Sequence, residues 1–129
     1  MSPNPFEIIS QYTRADALED GELVDASTLA REYGFRFPVA LTRAAWNDAV
    51  AWDRSNGAHQ DETGRLWDVL SVLRFRIRET GSTDGIRFAV LRMPNAPGSR
   101  RPSHCQLVAV CGPGDMGEPV ITIMLPGED

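Results

Sequence analysis

The sequence predicts an α+β fold: a small antiparallel sheet of three or four strands packed against one long helix, with two or three short N-terminal helices. Three observations carry this expectation. Leu66, Val69, Leu70, Leu73 and Ile77 recur at intervals of three and four, the stripe of an amphipathic helix over about Arg65–Glu79. Ile86–Arg92, His104–Cys111 and Val120–Leu125 are apolar runs rich in β-branched residues and bounded by Gly and Pro, which read as strands. Thr13, Ser27 and Thr42 each precede a short helix-compatible stretch, as N-caps do.

The elements follow in order. Phe6–Tyr12 is a short extended segment that could add a fourth strand. Thr13 opens a helix through Glu19, with Asp16 suited to the dipole at its third position and Gly21 able to adopt the left-handed closing residue. Glu22–Asp25 is an extended link. Ser27 is expected to cap a second helix, Thr28–Tyr33, closed by Gly34. Phe35–Leu41 is weakly alternating, and Pro38 argues against a central strand there. Thr42 caps a third helix to about Trp52, with Trp46 and Val50 on one face. Arg54–Gly64 is polar and reads as a loop. Gly81 stops the long helix. Met93–Pro102 and Gly112–Pro119 are the connections between the three strands, the latter long for a hairpin and rich in Gly and Pro. Pro126–Asp129 is an acidic tail.

The chain has 129 residues, the length of one ordinary domain, which buries enough surface to need no disulfide or metal staple. The reading is one domain, 1–129, with a helical acidic section over 1–53 and the long helix and sheet over 65–125. A composition of 42% hydrophobic and 24% charged residues excludes intrinsic disorder. No apolar run reaches the ~20 residues of a membrane helix, and the N-terminus lacks the basic and apolar regions of a signal peptide, so a cytoplasmic location and no membrane partner are expected. Cys105 and Cys111 are too few for a secreted disulfide framework. At ~3.3 Å per residue they lie roughly 20 Å apart on one strand face, out of bridging range.

Charge is unevenly placed. Residues 1–34 have seven acids and two bases, 64–101 have eight arginines and three acids, and 102–129 have four acids and no base; the net charge is −5 and there is no lysine. A basic cluster at 74–101 could bind phosphates, but the acidic whole and the scarcity of exposed aromatics beside it argue against direct nucleic-acid binding. His59, His104, Cys105 and Cys111 lack the spacing of a zinc site, and adjacent strand residues His104 and Cys105 point to opposite faces, so no metal is expected. Neither cysteine sits at a helix N-terminus that would activate it. Gly112–Gly117 precedes a strand and has no Walker lysine, which excludes a phosphate loop. No cofactor is expected.

Tyr12–Asp25, Phe35–Arg43, Asp61–Leu70, and Gly112–Asp115 with Gly117–Thr122 resemble a family of small uncharacterised proteins carried on plasmids, prophages and integrative elements. The resemblance spans nearly the whole chain. It implies a genomic setting, in which small acidic proteins often counter host restriction or CRISPR systems, and no chemistry.

Two functional expectations result. The first is a non-enzymatic binding protein of a mobile element, an anti-CRISPR or antirestriction inhibitor whose acids Asp16, Glu19, Asp20, Glu22 and Asp25 engage a host protein complex. The second is a small hydrolase or transferase whose site lies between the loops at 57–68 and 112–119, lined by Asp61, Arg65, Trp67, Asp68, Asp115 and Glu118. Asp61 and Glu62 also suit the dipole at the start of the long helix. A homo-oligomer joined through strand edges is a third reading.

Overall fold

The computed structural model describes residues 12–56, 60–82 and 84–128. Its elements are α1 (Arg14–Asp20), β1 (Leu23–Asp25), α2 (Ser27–Glu32), β2 (Val39–Thr42), α3 (Arg43–Ala49), a 3₁₀ turn (Arg54–Asn56), α4 (Glu62–Thr80), β3 (Ile86–Arg92), β4 (Ser103–Pro113) and β5 (Pro119–Met124). The fold is α+β, with a five-stranded mixed sheet in the order β1-β2-β5-β4-β3. The extended segment expected at Phe6 falls outside the described residues.

The three expected strands form the antiparallel half, β3-β4-β5, with Phe88 opposite Leu107 and Val110 opposite Thr122. The expectation of a purely antiparallel sheet fails at the other half. Val39–Thr42 pairs in parallel with β5 and antiparallel with β1, so it is a central strand. Pro38 does not prevent this. It sits one residue before the strand, needs to donate nothing, and its carbonyl accepts from the Ile121 N–H at 2.9 Å. Val39, Ala40 and Leu41 are all buried, so the strand shows a continuous apolar run rather than alternation. β1 is a three-residue edge strand, too short to carry a pattern.

The helices show which capping signals were sound. Thr13 makes a full capping box with Asp16, and Gly21 closes α1 at φ 80°. Thr42 Oγ1 accepts from the Ala45 N–H at 3.1 Å, although α3 ends at Ala49 rather than near Trp52. Ser27 is not the cap of α2. Ala26 holds that position, and the Asp25 carboxylate accepts from the Ser27 N–H at 3.0 Å. The Ser27 hydroxyl instead accepts from Val39 N–H and donates to Val39 O, stitching α2 to β2. α4 starts three residues before the expected Arg65, because Asp61 caps it by accepting from the Gly64 N–H at 2.6 Å.

One core draws on both halves of the chain. α2, α3 and α4 lie on one face of the sheet, where Ala30, Ala45, Val50, Leu70 and Leu73 pack over Val39, Leu41, Phe88, Leu107 and Ile123. α1 lies on the opposite face, where the Arg14 guanidinium donates to Thr122 Oγ1 at 2.7 Å and to Ile121 O at 3.1 Å. The hairpin between β4 and β5 is tighter than expected: pairing continues to Pro113 opposite Pro119, leaving Gly114–Glu118 as the loop.

Candidate functional site: the acidic end of the sheet

Five acids of the N-terminal third, Asp16, Glu19, Asp20, Glu22 and Asp25, lie along α1, the turn at Gly21 and β1. Glu19, Asp20, Glu22 and Asp25 are exposed. Asp16 is half-buried and held by its capping box, so it contributes charge but not a free carboxylate. Asp20 accepts from the Tyr12 hydroxyl at 2.8 Å; that bond, helped by the neighbouring acids, pushes the phenol up to about 12. Among the described residues the ion pairs are Arg76–Glu79 and Arg92–Asp48, and neither involves this edge. Arg43, the first residue of α3, donates through Nε to the Gly21 carbonyl at 2.8 Å rather than to a carboxylate.

The β4–β5 hairpin joins the same edge. Asp115 accepts from the backbone N–H groups of Arg14 and Ala15 at 2.8 and 3.0 Å. It thereby caps the first turn of α1 from a hundred residues away, and these bonds, with Arg14 nearby, hold its carboxyl below the usual range. Glu118 accepts from Met116 N–H at 2.9 Å. Between them lies a recess of about 280 Å³ bounded by Arg14, Leu18, Asp25, Ala40, Asp115 and Glu118. Among its described lining residues Arg14 is the one cation. Burial lowers its pKa, and Asp25, Asp115 and Glu118 oppose that shift. Sequence reasoning missed Arg14 because it looked like one more helix-surface residue. The signal lay in Thr122, a lone hydroxyl in an otherwise apolar strand, which Arg14 uses as an acceptor.

The remaining residues singled out from the sequence lie elsewhere. Asp61 is the α4 cap. Glu62 accepts from Trp52 N–H at 3.2 Å. Trp67 is half-buried, edge-on to Tyr33 with ring centres 4.4 Å apart. Arg65 is only 3% exposed. Its guanidinium donates to Val50 O and Met93 O, both at 2.8 Å, and to Gln60 Oε1 at 3.3 Å, and it lies 4.9 Å over the Trp52 ring. Asp68 is exposed at the rim of a 170 Å³ recess beside Arg65 and Arg92. This group sits where β3 ends and β4 begins, whereas Asp115 and Glu118 follow the end of β4. Eleven strand residues separate them, about 30 Å at ~3.3 Å per residue. The expected site between the 57–68 and 112–119 loops is therefore divided between opposite ends of the sheet. His59 lies outside the described residues, and among those described no three His, Cys, Asp or Glu side chains group as a metal site. Among them, too, no helix is long and apolar enough to cross a membrane.

A family model covers residues 4–129 of the chain. The protein belongs to DUF6573, a family of unknown function. No curated protein and no solved structure matches it. The acidic edge and its Arg14 recess therefore stand, for this DUF6573 member, on their own geometry.

Proposed function

We propose that this protein works by binding, and that it presents the acidic edge of α1, the Gly21 turn and β1 to a basic surface of a macromolecular partner. One observation carries the reading: Glu19, Asp20, Glu22 and Asp25 are exposed within a single stretch of chain at one sheet edge, and no ion pair neutralises them among the described residues. Such a field steers association and favours a cationic partner over wrong ones. A nucleic-acid backbone would be repelled by it, so the partner is a protein. As part of the same proposal, the chain comes from a mobile element such as a plasmid or prophage. The partner is then a host defence complex of CRISPR or restriction type, whose basic nucleic-acid channel the acidic edge occupies. The division of Asp61, Arg65 and Asp68 from Asp115 and Glu118 favours this reading over a small enzyme using both loops.

The test is a pull-down from host lysate with the wild type and the variant E19Q/D20N/E22Q, which leaves the Asp25 and Asp16 bonds in place. The wild type is expected to retain a defence component at ~50 mM salt and release it above roughly 300 mM, where screening shortens the reach of charge to a few ångströms. The variant is expected to retain nothing, and co-expression of the wild type alone should restore plaque formation by a restricted phage. Retention that is indifferent to salt and to the three substitutions would overturn the proposal.

A further inference from the structure

A second recess, of about 290 Å³, lies at the same end of the sheet on the opposite face. Its floor is apolar: Phe35 and Ile121 are buried, and Phe37 and Ile77 are half-buried. Its rim is cationic, with Arg36 from the segment after α2 and Arg74 and Arg78 from the last turns of α4. Arg74 is oriented by the Tyr33 ring, whose centre is 5.2 Å from the guanidinium carbon. Gly34 passes beside it at φ 97°, a backbone that favours glycine, and a Cβ there would meet the guanidinium at an ordinary contact distance of 3.5 Å.

Helix polarity alone explains two of these charges, since cations are favoured near a helix C-terminus. It does not explain Arg36, which arrives from another element and adds a third like charge to the same opening. The carboxylate available on this part of α4, Glu79, pairs with Arg76 instead. Among the described residues none of the three rim arginines is in an ion pair.

We infer that this recess binds a small aromatic anion, a flat ring body bearing one carboxylate or phosphate. Guanidinium groups take both head groups through paired N–H donors. The rings of Phe35 and Phe37 and the plane of Arg74 favour a flat apolar body against them. The volume is at the lower edge of small-ligand sites, roughly 300–1,000 Å³, which suits one or two rings and excludes an extended chain. The recess shares no lining residue with the acidic one, and Glu19, Asp20, Glu22 and Asp25 are not part of its wall.

The probes are 1-naphthyl phosphate and 2-naphthoate, with 1-naphthalenemethanol as the neutral control and inorganic phosphate as the ring-free one. Calorimetry measures affinity and amide chemical shifts locate it. At least one aryl anion is expected to bind with shifts confined to 34–37, 74–78 and 120–122, and at least tenfold more tightly than either control. The better of the two names the head group. R36Q/R78Q changes two exposed side chains, so the fold is retained, and it is expected to weaken binding at least tenfold while leaving thermal unfolding unchanged. Equal affinity for the neutral alcohol, shifts elsewhere, unchanged affinity in R36Q/R78Q, or no binding of either aryl anion at millimolar concentration would each overturn the inference.

Discussion

Arg65 offers the sharpest test of how this fold is held together. It is a nearly fully buried cation whose partners are neutral: the carbonyls of Val50 and Met93 and the side chain of Gln60. It joins the end of α3, the start of α4 and the end of β3. The perturbation is Arg65→Met, which keeps the apolar stem and removes the donors. The buried Val50 carbonyl and the part-buried Met93 carbonyl then lose their donor, at about 1–3 kcal/mol for the first and about 1 kcal/mol for the second. Against this stands relief from burying a charge that is imperfectly satisfied, since Nη2 is buried without a partner among the described residues; that relief offsets about 1–2 kcal/mol. Taken at the middle of these ranges, the expected net loss is about 1–2 kcal/mol. With a urea slope of roughly 1–3 kcal/mol/M for a small domain, the midpoint should fall by about 0.5–1 M at constant slope. The assay is equilibrium urea unfolding followed by Trp fluorescence and far-UV circular dichroism. Arg65→Lys, keeping the charge with a different donor geometry, should fall between the two. If Arg65→Met proves as stable as the wild type, the carbonyl bonds contribute nothing net and the reasoning is refuted.

Three further predictions follow from the geometry. Asp115 has a lowered pKa in the folded state, so its stabilising bonds to α1 are fully present above its unfolded value of about 3.9 and are lost as pH falls through the lower folded value; the amide shifts of Arg14 and Ala15 should move together below pH 4, and in Asp115→Asn they should not titrate. Cys105 is 2% exposed and burial, aided by Asp48, pushes its thiol up to about 11, while Cys111, two residues before the end of β4, is half-buried; at pH 8 a disulfide reagent should modify Cys111 quickly and leave Cys105 protected until unfolding, and equal rates would contradict the burial. Gly34→Ala should cost about 1–2 kcal/mol in urea unfolding, because it places a Cβ on a left-handed backbone, whereas Gly112→Ala, with ordinary backbone and open space, should fall within about 0.5 kcal/mol of wild type.

Much of the fold was legible because the signals were local. The stripe from Leu66 to Ile77 and the strands at 86, 104 and 120 depend on periodicity within one element, and the Thr13 and Thr42 caps on a side chain and its own next turn. The failures were of a different kind. Val39–Thr42 could be recognised as a central strand only by knowing that β5 would supply the donor for the Pro38 carbonyl, and β1 only by knowing that β2 existed to pair with it. Ser27 had the composition of a cap, but Val39 offered its hydroxyl a better pair of bonds. The acidic edge was readable as composition. Its architecture was not, because Asp115 reaches α1 and Arg14 reaches Thr122 across about a hundred residues of chain.

Those long connections also explain why opposite charges can coexist at one end of so small a sheet. Phe37 lines the arginine-rimmed recess and Pro38 the acidic one, so two consecutive residues part them. Successive residues at the head of β2 and β5 turn to opposite faces: Ile121 floors the basic recess and Val120 the acidic one. A one-residue slip of β5 against β2 would exchange these side chains and carry Thr122 away from Arg14. The bond from Ile121 N–H to Pro38 O fixes that register at its first pair, and the Arg14–Thr122 bond fixes it again from the other face. Register at the parallel pair, rather than the helical core alone, therefore keeps the two charged surfaces apart, and Thr122→Val should disturb the acidic face while leaving the packing of α4 intact.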